Sequence, residues 1–390
     1  MTASPFRVDR LVLTPQDIDL ARSPLAGQLG VETYVLGAFN PGLTVLPSGN
    51  LLMMVRVAEA LRMPVFGGIV HAIRWAGHDR YVLDGWPLEL ADTADPREIR
   101  FRGGDSQGGN WQGGDWPILA LTSLSWLLPV ELTPDGLEVI ALHYDKAIAP
   151  AGSWQCNGIE DARISRVNGE YLMTTCTVSP ERHATALYSS ANGLDWRGEG
   201  PVLDHQNKDM LIFEGLVGGQ FWAQTRPLGA AYSAYPPGSQ WRAGPSINLA
   251  TSPDGLHWKP RIEPGIRPAA GMAAAARIGG GTPPILTEVA GRHGWLTLWH
   301  GVEPNGTVGV YRTYWTLLDP HEPWRVLAGS DAALLEANPA LTMPLDGAMY
   351  LHDVVFSTGI VDAGDHFIVA SGEADLACRI THVPEAAFVS

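Results

Sequence analysis

Apolar and polar residues along this chain change places over short distances. Runs of four to eight apolar or alternating residues are each closed by Gly, Pro, Asn or Asp, the pattern of β-strands between turns. Leu43 to Leu46, Leu51 to Val57, Tyr171 to Val178, Gly219 to Gln224, Trp295 to Gly301 and His366 to Ser371 are the clearest examples. Helical periodicity is scarce, and only Ala58 to Met63 and Ala332 to Ala337 suggest short helical turns. Many strands at short spacing predict a sandwich, a barrel or a propeller.

An internal repeat chooses among these. Tyr188-Ser-Ser-Ala-Asn-Gly-Leu-Asp-Trp196 resembles Ala250-Thr-Ser-Pro-Asp-Gly-Leu-His-Trp258, and Leu132-Thr-Pro-Asp-Gly-Leu-Glu138 is a weaker copy. Each places an Asn-Gly or Asp-Gly turn after a strand, with the Trp expected to cover the hairpin. The copies stand roughly 60 residues apart, a spacing that suits a propeller blade with its loops. The whole chain, 1–390, then reads as one all-β domain, a five-bladed β-propeller with terminal extensions and a glycine-rich inserted loop. That loop runs from Gly103 to Trp116, and its two Trp could be a sugar-stacking lid or a hydrophobic plug.

Composition narrows the picture. Gly (44) and Pro (30) are too abundant for a helical bundle, and 14 Trp supply too much apolar surface for disorder. A net charge of −15 argues against nucleic acid and anionic lipid as partners, while leaving room for a local basic pocket. Three widely spaced cysteines, Cys156, Cys176 and Cys378, make neither a disulfide framework nor a zinc motif. With no signal-like or membrane-spanning stretch, the expectation is a cytoplasmic protein. Its histidines have no metal-ligand spacing, and no Gly-x-Ser-x-Gly elbow appears.

The chemistry concentrates at strand ends. In Gly158-Ile-Glu-Asp-Ala-Arg-Ile164, strict alternation would put Asp161 and Arg163 on one face and Glu160 on the other. Phe39-Asn40-Pro41-Gly42, Arg56, Asn207-Lys208-Asp209, Thr225-Arg226-Pro227, Trp299-His300-Gly301 and Gly372-Glu373-Ala374-Asp375 also sit beside or within strand-like runs. Any one of them alone is ordinary surface polarity. Gathered at one axial mouth, they would make a polar, aromatic-walled pocket suited to a polyol.

In order and spacing these segments resemble glycoside hydrolase family 130, the β-mannoside phosphorylases and β-mannosidases. The likeness runs from about Arg10 to near the C-terminus. It includes Gly37 to Pro41, Gly158 to Ile164, Arg226-Pro227, Gly279 to Ile285, His300-Gly-Val302, Leu317-Leu-Asp319 and Val354-Val-Phe356. It implies inverting chemistry on a terminal β-mannoside, with Asp161 as general acid relaying its proton through a sugar hydroxyl. Asn40 and Asp375 match sugar-binding positions. Arg56, Arg163, Lys208, Arg226 and His300 match positions near the sugar or the attacking group.

The family divides by attacking group, water or phosphate. Thr225 stands where many members carry His, Glu214 where many carry Pro, and Ala162 where Pro is usual. A lost cation and a gained carboxylate disfavour phosphate. Glu214, or Glu303 just after His300-Gly301, could instead serve as general base for water. A salt bridge from Glu214 to Lys208 or Arg226 is the structural alternative. The first expectation is therefore an inverting exo-acting β-mannosidase working on short oligosaccharides, with Trp154 or a Trp of the glycine-rich loop stacking on the sugar. The second is a phosphorylase releasing α-mannose 1-phosphate, with Lys208, Arg226, His300 and Arg163 around the phosphate. The third is a non-catalytic sugar-binding propeller. No metal or cofactor is expected beyond inorganic phosphate as co-substrate in the second case, and a homo-oligomer stays open.

Overall fold

Strand after strand forms where the apolar runs lie, because each run pairs with its chain neighbour and buries its side chains against the next sheet. The computed structural model describes residues 6–101, 119–228, 237–238, 246–269, 271–306 and 308–388. The chain begins with β1 (Val8–Leu13), then β2 (Thr33–Val45) and β3 (Leu51–Leu61). It leaves that hairpin for two small three-stranded sheets: β4 (Val65–Phe66), β5 (Ile69–Trp75) and β6 (Tyr81–Pro87), then β7 (Ala91–Asp92), β8 (Glu98–Phe101) and β9 (Leu119–Leu121). It returns as β10 (Ser123–Leu132) and β11 (Val139–Leu142), completing an antiparallel sheet in the order β11-β10-β3-β2.

Two meanders follow: β12 (Ile159–Val167), β13 (Glu170–Val178), β14 (His183–Ser190) and β15 (Arg197–Pro201), then β16 (Asn207–Val217), β17 (Gln220–Pro227), β18 (Asn248–Ser252) and β19 (Lys259–Pro264). In the next sheet, β20 (Ile278–Gly280) and β21 (Ile285–Val289) both pair with β22 (Arg292–Glu303), which continues to β23 (Val310–Leu318) and β24 (Val326–Gly329). The last sheet is β25 (Val355–Asp362), β26 (His366–Glu373) and β27 (Ala377–Pro384), with β1 from the chain start as its outer strand. The fold is all-β. Among the described residues, the longest α-helix is the single turn Pro339–Thr342.

Neighbouring sheets meet through their early strands. β2 packs on β12 and β25, β12 on β16, β16 on β20 and β21, and both β22 and β23 on β25. An apolar cluster fills each seam. Leu52, Leu127 and Ile164 join the first two large sheets, and Leu187, Leu203 and Ile212 the second and third. Phe213, Trp222 and Trp295 follow, then Leu298, Trp315 and Phe367. Leu128, Val130 and Ile380 join the last sheet to the first. Inner strands are thus buried on both faces and read as continuous apolar runs, while outer strands such as β19 stay exposed.

The repeated turn has one geometry. In the β14–β15 connection, Asn192 Oδ1 accepts the N–H groups of Leu194 and Asp195. In the β18–β19 connection, Asp254 Oδ1 accepts those of Leu256 and His257. Asp135 accepts from Leu137 between β10 and β11, and Asp319 from His321 and Glu322 between β23 and β24. The repeat therefore marks the third-to-fourth strand turn of successive sheets.

Neither helical expectation holds. Ala58 to Leu61 pairs with β2 as the end of β3, because two neighbouring strands outweigh the helical preference of Ala and Leu. Around 332–337, Thr313 accepts the N–H groups of Leu334 and Leu335, which ties the segment to β23 in irregular form.

Candidate active site

Three inner strands break register at matching places: β2 between Phe39 and Gly42, β12 between Glu160 and Arg163, and β16 between Lys208 and Leu211. Each bulge carries a short polar residue in the left-handed region, with φ of 49° at Asn40, 51° at Asp161 and 54° at Asp209. Asn and Asp tolerate that conformation better than other non-glycine residues. A bulge re-aims side chains that strict alternation would send apart. Glu160 and Asp161 consequently both face one cavity, contrary to the alternation expected for an extended segment, and Arg163 lies beneath them.

The cavity is about 360 Å³, within the range of small-molecule sites. Asp161 Oδ1 accepts from Asn40 Nδ2 at 2.9 Å and from Arg56 Nη1 at 3.0 Å. Arg56 Nη2 reaches Glu160 at 3.0 Å, and Lys208 Nζ reaches the other Glu160 oxygen at 3.2 Å. Below this layer, the buried Arg163 donates to the Asp161 carbonyl at 2.7 Å and pairs with Asp209 at 3.2 Å. Arg226 Nε lies 3.0 Å from the second Asp209 oxygen, and Arg226 Nη1 is 3.5 Å from His300 Nε2. Tyr311 and Phe356 pack around the His300 ring. Tyr350 donates to the Asp375 carbonyl at 2.7 Å, steadying a turn in which Ala374 and Asp375 both have positive φ. Gly279 has no room for a side chain, since a Cβ there would sit 2.6 Å from Asp209 Oδ2.

Charge placement sets the protonation states. Burial opposes ionisation of Asp161, but Arg56, Arg163, Lys208 and the Asn40 hydrogen bond hold its carboxyl well below the usual range. Glu160 and Asp209 are likewise held low against burial, Glu160 by Arg56 and Lys208, Asp209 by Arg226 and Arg163. Burial pushes Asp375 up to about 6, with Arg56 opposing and Asp161 adding to the rise. Burial takes His300 down to about 3 despite Asp209, and takes His183 to about 3 with help from Lys208, so both rings are neutral at pH 7. Lys208 and Arg226, with these neutral rings nearby, can hold an anion beside Asp161.

Of the residues singled out in the sequence, Asn40, Arg56, Asp161, Lys208, Arg226, His300 and Asp375 line the cavity, and Arg163 supports it. Glu214 and Glu303 do not line it. Glu214 is five residues beyond Asp209 on β16, roughly 16 Å along an extended strand. Its carboxylate accepts the Arg166 N–H at 3.1 Å rather than pairing with Lys208 or Arg226. Glu303 pairs with Arg312 at 3.2 Å at the end of β22. Thr225 is buried in β17 opposite Asn248, outside the lining. Trp154 also lies outside it and is part exposed. The glycine-rich loop with Trp111 and Trp116 falls outside the described residues.

Sequence reading missed Arg97, Glu98, Arg100, His183, Arg277, Tyr311 and Tyr350, all of which line the cavity. Arg97 to Arg100 come from the small sheet inserted after β3, which carries no motif. Phe356 lay in a matched segment, but its contact with the His300 ring depends on the packing of β25 beside β22. Among the described residues, no group of three or more His, Cys, Asp and Glu side chains could hold a metal ion.

Comparison with known proteins places this geometry in context. A family model described as beta-1,4-mannooligosaccharide phosphorylase matches residues 125–389. A beta-1,2-mannobiose phosphorylase of Listeria innocua is 30% identical over 349 residues, 87% of each chain. A 1,2-beta-oligomannan phosphorylase of Thermoanaerobacter is 30% identical over 248 residues, 63% of this chain and 74% of that one. The structure of the beta-1,2-mannobiose phosphorylase from Listeria innocua, in complex with beta-1,2-mannobiose, superposes with a TM-score of 0.74 at 28% identity. It covers 97% of this chain and 95% of that one.

Proposed function

The chain belongs to glycoside hydrolase family 130, and from that premise we propose that it is an inverting β-mannoside phosphorylase acting on β-1,2-linked mannosides. This replaces the hydrolytic reading first drawn from the sequence. The observation that carries it is the contrast at the cavity: Lys208, Arg226 and His300 line it with Asp161, whereas both candidate bases for water, Glu214 and Glu303, lie outside. The departures at Thr225 and Glu214, which counted against phosphate, concern residues outside the lining and carry no weight there. The names of the relatives support the same reading.

In the proposed reaction the terminal mannose sits against Asn40, Arg56 and Asp375. A phosphate oxygen attacks the anomeric carbon from the face opposite Asp161 and forms the new C–O bond. The glycosidic C–O bond breaks, and the proton carried by Asp161 reaches the leaving oxygen through a sugar hydroxyl. The products are α-mannose 1-phosphate and the shortened saccharide. Asp161 is ionised in the free enzyme, so it must gain its proton on binding. Phosphate supplies the reason: its negative charge at Lys208, one of the cations that hold Asp161 low, offsets that hold and raises the proton affinity of Asp161.

The five larger sheets are proposed as blades of a single five-bladed β-propeller spanning 1–390. The succession of packed inner strands, an apolar cluster in each seam, and β1 completing the last sheet support it. Three free, buried cysteines fit a reducing compartment.

The test is incubation with β-1,2-mannobiose, with and without inorganic phosphate. The expected result is strictly phosphate-dependent release of mannose 1-phosphate. Asp161→Asn should cut it by about 10²–10⁴-fold in a protein that still folds, with a lowered melting temperature because the ionised carboxylate it removes is paired with Arg56. Free mannose released without phosphate would restore the hydrolase, and sugar binding with no turnover would favour a lectin-like role.

A further inference from the structure

The proposed reaction uses one carboxylic acid, Asp161, and needs no base, because phosphate is itself the nucleophile. Yet the same bulge of β12 turns a second carboxylate, Glu160, into the cavity beside it. The Glu160 side chain is only 5% exposed, and both its oxygens are engaged. Oε1 accepts from Arg56 Nη2 at 3.0 Å, and Oε2 pairs with Lys208 Nζ at 3.2 Å. Arg56 Nη1 lies at the same time 3.0 Å from Asp161 Oδ1. Glu160 thus stands between two cations, one that it shares with Asp161 and one that faces the phosphate. An anion arriving at Lys208 meets like charge on Glu160, which a neutral side chain in its place would spare it. Nor does Arg56 depend on Glu160 for its position, since its Nε donates to Ser125 at 3.0 Å and its Nη1 is fixed by Asp161.

We propose that Glu160 is a positioning residue of phosphorolysis: it shares Lys208 with phosphate and Arg56 with Asp161, weakening phosphate binding while helping Asp161 to accept its proton. The inference rests on the phosphorylase reading above. While phosphate is absent, Lys208 balances Glu160. Once phosphate engages Lys208, the charge on Glu160 is less compensated and opposes a second negative charge on the neighbouring Asp161. The two carboxylates titrate as a pair. In the proposed reaction the relaying sugar hydroxyl lies against Asp161, which makes that member the proton carrier in the complex. Around the pair, Asn40 of β2 and Arg163 of β12 stay with Asp161, and Asp209 of β16 is held ionised by Arg226 and Arg163. His183 at the start of β14 is neutral, and Cys176 of β13 keeps its proton because burial pushes it up to about 12. Asp375, beyond β26, titrates at about 6 and bears on the acid side. The alkaline side is left to the pair.

The test measures phosphate-dependent turnover of β-1,2-mannobiose against pH, with each substrate varied, in the wild type, Glu160→Gln and Glu160→Asp. The ionisation of phosphate itself is common to all three and cancels between them. In Glu160→Gln the KM for phosphate should fall about fivefold, because Lys208 is released from a competing anion. The alkaline limb of kcat should move to lower pH, with kcat down about tenfold near pH 8, because Asp161 loses a neighbouring negative charge and holds its proton less well. Glu160→Asp keeps the charge beside Asp161, but its shorter side chain no longer spans Arg56 and Lys208. Its phosphate KM should fall as well, while its alkaline limb stays at the wild-type position. A phosphate KM that does not fall in Glu160→Gln, or an alkaline limb that does not move, overturns the proposal, since a residue that merely held Lys208 in place would raise that KM and leave the limb alone. If Glu160→Gln does not fold, Glu160→Asp decides, and an unchanged or raised phosphate KM there overturns the proposal. Turnover without phosphate in the wild type, or none at all, overturns the phosphorylase reading itself and this inference with it.

Discussion

Glu214 shows how far a side chain's surroundings decide its role. Burial beside β12 pushes its carboxyl up to about 7, with only the Arg166 N–H and charge opposing. An acid whose proton affinity is higher folded than unfolded stabilises the fold below its unfolded pKa. That contribution is lost as pH rises through the folded value. Glu214→Gln keeps the acceptor for Arg166 and removes the charge. It should raise stability by about 1–3 kcal/mol at pH 8 and change little at pH 4, as read by urea melts across pH. An active-site base would instead lose turnover in that variant; here turnover should persist. The sequence displayed this glutamate plainly, five residues from Asp209, and nothing local revealed that the two face different surroundings.

At the scale of the strand, the bulge is the device that builds the site. Asn40, Asp161 and Asp209 each occupy a left-handed position on the first strand of its sheet, and each contributes a polar head to the cavity. The strands themselves were legible from apolar runs, and the turns from Ser-x-Asp-Gly and its variants. The bulges were not, because register is set by the partner strand and not by the run itself. Close approach between elements has the same origin. Gly279 on β20 admits His300 of β22 and Asp209 of β16 to within contact of its backbone. Gly279→Ala should therefore cost about 1–3 kcal/mol by overpacking. It should also raise KM for phosphate more than KM for the sugar, measured by steady-state kinetics with each substrate varied. Equal effects on both constants would detach His300 and the Arg226 that Asp209 holds from the anion.

Over the whole molecule, the chain start is tied to its end. Asp9 of β1 holds Arg379 of β27 at 2.6 and 3.0 Å, and Arg379 also pairs with Glu373, two residues before Asp375. All three are buried at their charged ends. Removing one partner of such a buried pair leaves charge uncompensated. Asp9→Ala should destabilise by about 3 kcal/mol, seen as a lower urea midpoint. Because the same cluster backs the Asp375 turn, KM for the saccharide should rise as well. A variant with wild-type melting would show that β1 is dispensable to the last sheet.

The net charge of −15 spreads over the molecule, yet the cavity gathers Arg56, Arg97, Arg100, Lys208, Arg226 and Arg277 against five carboxylates. Composition reports the sum and is silent on such local balance. What the chain's own order of residues determined was the strand-and-turn character, the recurring hairpin signature and the set of side chains able to do chemistry, since these depend on neighbours a few positions away. Which carboxylates share a cavity with Lys208, how Asp161 comes to be ionised, and that Arg97 reaches the same space depend on contacts between residues tens to hundreds of positions apart. Those were decided only when the sheets packed together.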